Sequence, residues 1–130
     1  MPPPKILIVE DSIVSWVMME AHIKRKNPDF DVRVRHSLRG GFEEFDRFAP
    51  NLVILDLTLP DSPQGTEALA AIPILRKRGA GVLAVSGHLD MEKASLAAGA
   101  NDFAGKSVGS TSTTTFMERI TALLPACLSS

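Results

Sequence analysis

Three carboxylates, one hydroxyl and one amine stand directly after short apolar runs in this chain. Ile6-Leu7-Ile8-Val9 is followed by Glu10 and Asp11, and Leu52-Val53-Ile54-Leu55 by Asp56. Val82-Leu83-Ala84-Val85 is followed by Ser86, and Phe103-Ala104 leads to Lys106. If these runs are neighbouring strands, the polar residues meet on one rim. Two like charges ~4 Å apart repel by about 4 kcal/mol at an effective dielectric near 20, so a cation is needed to relieve such a rim. Oxygen-only donors suit Mg²⁺, which keeps several waters and takes a few carboxylates plus phosphate oxygens. A metal there would neutralise charge on a transferred phosphoryl group. Lys106 would add a second positive point, and Asp56 can attack as a nucleophile to form an acyl phosphate. Ser86 can then hydrogen-bond a phosphoryl oxygen and report the modified state. Each residue alone has a plainer explanation. Glu10-Asp11 could cap a helix, Asp56 could be a solvated strand-end acid, Ser86 a turn residue, Lys106 a surface lysine and Phe103 plain core. The ordered set carries the signal.

The elements between these residues are what must position them. The runs at 6–9, 52–55 and 82–85 are short, continuous and largely branched, as strands buried on both faces should be. Asp31–His36 alternates apolar and polar residues through Val32 and Val34, which predicts an edge strand. Helical spacing of Ile13, Val17, Met18 and Ala21 predicts a helix over 12–26, stopped at Asn27 before Pro28. Leu38–Phe48 reads as a helix with Phe42, Phe45 and Phe48 inward. Thr66–Arg78 reads as another, capped by Gly79 and kinked or split by Pro73. Asp90 is placed to cap a helix over Met91–Ala98, closed by Gly99. Thr115 and Glu118 have capping-box spacing for a last helix to about Leu124, after a Ser/Thr-rich loop at 110–114. Five strand–helix alternations predict an α/β protein, a five-stranded parallel sheet with helices on both faces. Ligands of such sheets bind at the carboxyl ends of the strands.

Composition narrows the function. The chain has 130 residues, 45% hydrophobic and 22% charged, which fits one globular domain. A formal net charge of −1 gives no case for nucleic acid or an anionic membrane as partner. The lone cysteine, Cys127, and the absence of a signal-like or membrane-spanning run make the cytoplasm the expected location. His22, His36 and His88 have no metal-ligand spacing and read as surface residues. No glycine-rich loop follows the first strand, so dinucleotide binding is disfavoured.

The ordered motifs resemble those of response-regulator receiver domains. The run 6–12 is similar to the family's first strand and acidic pair, and Leu52–Pro60 to its phosphoacceptor strand and following loop. Val85-Ser86-Gly87 is similar to the switch-hydroxyl segment, and Phe103-Ala104-Gly105-Lys106 to the strand ending in the phosphoryl-contacting lysine. The resemblance implies a flavodoxin-like (βα)₅ fold in a single domain over 1–130 with no output domain. It implies Asp56 as phosphoacceptor. Mg²⁺ would be held by Glu10, Asp11 (the more direct ligand), Asp56 and the Thr58 carbonyl. Ser86 would be the switch hydroxyl, Lys106 the phosphoryl contact and Phe103 the aromatic that follows Ser86. The implied partners are a histidine kinase or phosphotransfer protein as donor and an effector protein as reader. The protein would be a switch rather than an enzyme. The chain departs from the family at Ser107, where proline is usual, at Phe103, where tyrosine is more frequent, and in a 60–65 loop about one residue longer than the commonest form. A phosphatase of the aspartyl-phosphate type is disfavoured, because Thr58 stands where a second acid is needed. The competing reading is a receiver-like interaction module that no longer depends on phosphorylation.

Overall fold

The computed structural model describes residues 2–106, 118–120, 122 and 123. Strands β1 (Lys5–Val9), β2 (Asp31–Arg35), β3 (Leu52–Asp56), β4 (Gly81–Ser86) and β5 (Asp102–Gly105) form one parallel sheet in the order β2-β1-β3-β4-β5. Helices α1 (Ile13–Lys26), α2 (Leu38–Phe48), α3 (Thr66–Lys77) and α4 (Glu92–Ala97) alternate with them, and a 3-10 turn at Leu89–Met91 precedes α4. The expected α/β architecture is therefore present.

Strand alternation splits the core into two layers. Leu7, Val9, Val53 and Leu55 pack with Phe45 and Phe48 of α2 and Ala68, Ile72 and Leu75 of α3. Ile6, Ile8, Leu52 and Ile54 turn to the other face, against Met19 and Ile23 of α1 and Ile120. The edge strand β2 is pinned to α2 by Glu44, which accepts from Arg33 and Arg35, each at 3.1 Å.

Three expectations need correction. Helix α1 does not bury the stripe Ile13, Val17, Met18 and Ala21. Ile13, Val17 and Met18 are 69%, 44% and 47% exposed, and Ala21 is exposed too. Met19 and Ile23 are buried instead, with Trp16 packed beside them. Both stripes have helical spacing, and the one that fits the sheet took the core. Pro73 does not split α3, which runs unbroken from Thr66 to Lys77. Asp90 does not cap a helix: it lies inside the 3-10 turn, and neither that turn nor α4 has a side-chain cap. Gly79 and Gly99 do close α3 and α4, each with positive φ. The Ser110–Thr114 loop, the Thr115 capping position, Ser107 and Cys127 lie outside the described residues.

Candidate functional site

The order β2-β1-β3 reverses direction between β1 and β3, and the crevice at their carboxyl ends is where such sheets place ligands. Val9 pairs with Leu55, so Glu10 and Asp56 leave the sheet side by side. The Glu10 amide still donates to Arg35 O at 2.9 Å, which extends the ladder and fixes the turn into α1. On the other side, the Lys106 amide donates to Ser86 O at 2.8 Å, holding the lysine backbone against β4. From there the Lys106 ammonium reaches Asp56 Oδ2 at 2.8 Å and contacts Glu10 Oε1. The amide of Thr58 donates to Asp56 Oδ1 at 3.1 Å, and that of Ser12 to Glu10 Oε2 at 3.2 Å.

Glu10 and Asp56 are 1% and 4% exposed, so water screens neither charge well, whereas Asp11 is exposed. Burial, reinforced by the facing Asp56 carboxylate, pushes Glu10 up to about 7 against the pull of Lys106. Burial also works to lower the Lys106 ammonium, but Asp56 and Glu10 outweigh it and hold it above the ordinary lysine value. Ligand oxygens of Glu10, Asp11 and Asp56 lie within 4.8 Å of one another. An all-oxygen set this tight, open to solvent on the Asp11 side, fits a hard divalent cation that keeps part of its water shell.

The response regulator receiver domain family matches residues 6–118 of the chain. The chain belongs to that family. The fold agrees. A CheY-like response regulator receiver domain protein from Methanospirillum hungatei is 26% identical, with a TM-score of 0.79 over 96% of each chain. The BeF3-activated N-terminal receiver domain of Klebsiella pneumoniae RstA is 25% identical, with a TM-score of 0.75 over 92% of this chain and 97% of that one. The Mn²⁺-bound form of the response regulator Rcp1 is 25% identical, with a TM-score of 0.73 over 91% of each chain. No curated protein matches the sequence.

In this receiver, Glu10, Asp11, Asp56 and Lys106 meet on one rim. Thr58 follows directly in the β3–α3 loop, where its amide rather than its side chain touches Asp56. Phe103 is 2% exposed and packed in the α2–α3 layer. Ser86 is fully buried at the end of β4, where its hydroxyl accepts from the His88 amide at 2.9 Å and meets Met91 Sδ at 3.8 Å. Among the described residues no helix is long and apolar enough to cross a membrane.

Two residues around the rim, Asp61 and Ser62, were not singled out in sequence, and a third, His36, was read only as surface. Asp61, in the long loop, accepts from the amides of Leu38 and Arg39 at 2.9 Å each and caps α2 from outside. Its partners lie more than twenty residues earlier in the chain, so spacing gave no signal. Ser62 is fully buried; its hydroxyl donates to Leu57 O at 3.1 Å and accepts from the Ala68 amide at 2.9 Å, which ties the loop to α3. His36 is exposed, as its surface reading expected, and has Nδ1 3.2 Å from Glu10 O and its ring 5.6 Å from that of Trp16.

Proposed function

We propose that this receiver is a phosphoacceptor switch in which Asp56 takes a phosphoryl group in a Mg²⁺-dependent step. The observation that carries the reading is the Lys106 ammonium 2.8 Å from Asp56 Oδ2, beside three carboxylates whose oxygens crowd within 4.8 Å. Lys106 then contacts the phosphoryl oxygens, and the Ser86 hydroxyl turns to them. Glu10, Asp11, Asp56 and the Thr58 carbonyl would hold the ion, which supplies charge neutralisation on the phosphoryl oxygens. That the response regulator Rcp1, a structural neighbour, has a Mn²⁺-bound form supports a divalent cation as ligand of this receiver. The protein is a switch that acts on its own aspartate rather than an enzyme with a separate substrate.

The donor is a phosphohistidine on a kinase or phosphotransfer protein. The exposed apolar residues Ile13, Val14, Val17 and Met18 support a protein donor, because α1 starts two residues after Asp11 and carries this patch up to the rim. The reader of the modified state is an effector protein, and the compartment is the cytoplasm. The test is intact-mass spectrometry after incubation with a small-molecule phosphodonor, with and without Mg²⁺, on wild type and Asp56→Ala. A gain of one phosphoryl group that needs both Mg²⁺ and Asp56 is expected. Labelling that survives Asp56→Ala overturns the reading. No gain in a folded, Mg²⁺-binding protein, together with no transfer from phosphohistidine proteins, favours the phosphate-independent module.

A further inference from the structure

Met91, an apolar residue of the 3-10 turn, touches the hydroxyl of Ser86. A serine hydroxyl has one proton to give. The His88 amide already donates to Ser86 Oγ, so the Ser86 proton is free to point at the Met91 thioether, a weak acceptor. Neither Asp56 nor Lys106 is a hydrogen-bond partner of this hydroxyl among the described residues. The Met91 side chain is held there by a second fit. Its methyl lies over Gly65, where an added Cβ would run into it, and it packs against the α2–α3 core layer. Gly65 has φ of +86°, a conformation that also favours glycine, and it is the N-cap residue just before α3. Met91 thus spans from the end of β4 to the loop that carries Thr58.

We propose that Met91 is a positioning residue that sets the resting threshold of the switch, an inference that rests on Ser86 being the phosphoryl-sensing hydroxyl. The single Ser86 proton goes either to Met91 Sδ or to a phosphoryl oxygen. Capture by the phosphoryl oxygen breaks the contact with Met91 and loosens the turn before α4 from Gly65. The thioether therefore competes with the phosphoryl group, and removing its acceptor character favours the activated state.

The experiment titrates the full chain, with Mg²⁺ present, with beryllofluoride as a phosphoryl mimic, and reads the fluorescence of the single tryptophan, Trp16. Met91→Leu keeps an apolar side chain against Gly65 but has no sulfur. It is expected to lower the half-saturating beryllofluoride concentration about threefold, the size of one weak hydrogen bond. In a Ser86→Ala background the same substitution should change nothing, which a merely structural role for Met91 would not produce. An unchanged midpoint for Met91→Leu, or the same shift in both backgrounds, overturns the inference alone. Wild type that takes no beryllofluoride overturns it together with the phosphoacceptor reading. Methyl NMR of the wild type needs no change at Met91: its methyl resonance should move on saturation, and in Ser86→Ala it should already sit near the shifted position. A resonance insensitive to saturation contradicts the proposal.

Discussion

Glu10 couples the rim to pH. A carboxyl raised to about 7 is protonated in the folded chain at pH values where the unfolded chain has already lost the proton. Its contribution to stability is complete below the ordinary carboxylate range and is lost as pH rises through about 7. Metal-free protein should therefore melt at a higher temperature near pH ~5.5 than near pH ~8, and Glu10→Gln should flatten that slope in a calorimetric series. Metal binding runs the other way, since it needs the ionised carboxylate. From about pH 6 to about pH 8 the ionised fraction of such a group rises roughly tenfold, and the Mg²⁺ Kd read from Trp16 fluorescence should tighten by up to that factor. Lys106→Met leaves two buried carboxylates facing each other. It should cost the metal-free fold about 2 kcal/mol in urea unfolding, with partial recovery on adding Mg²⁺.

Elements show where the sequence was readable and where it was not. Helix α2 has the predicted bounds, Leu38–Phe48, because its aromatic stripe fits one face only and Ser37 caps it, accepting from the Gly40 amide at 3.0 Å. The rim was legible for the same kind of reason: each of its polar residues sits at or just past the end of an apolar strand, and strand ends follow from local pattern. Helix α1 was harder, since it carries two apolar stripes and only the sheet decides between them. Asp90 has a capping side chain, but the chain enters α4 through a 3-10 turn instead. Asp61 and Met91 act on residues of other elements, and no periodicity encodes such contacts. The stripe left outside on α1 gives a prediction at this scale. Val14, 71% exposed, can be replaced by glutamate with little effect on folding. Val14→Glu should slow transfer from a phosphohistidine protein about tenfold, the effect of losing ~1.4 kcal/mol of docking, and leave the rate from a small-molecule donor unchanged. Equal slowing with both donors would place the defect in the rim rather than in docking.

At the scale of the whole molecule, the sheet order fixes the site and the two core layers make its frame. Ligand binding to the folded form alone raises stability, so Mg²⁺ at about ten times its Kd should add roughly 1.4 kcal/mol in thermal unfolding. Asp11→Asn should remove most of that shift while leaving the metal-free melting temperature nearly unchanged, because Asp11 is solvent-exposed. The Asp61 cap links the frame to the rim. The first amides of a helix have no partner within it, and here those of Leu38 and Arg39 are held by a residue of the loop that begins beside Asp56. Their exchange with deuterated water therefore keeps time for a loop to which they do not belong: whatever unseats the loop bares them, and whatever seats it silences them. A peptide at the start of α2 becomes a clock, read by mass, for events on the far side of the crevice.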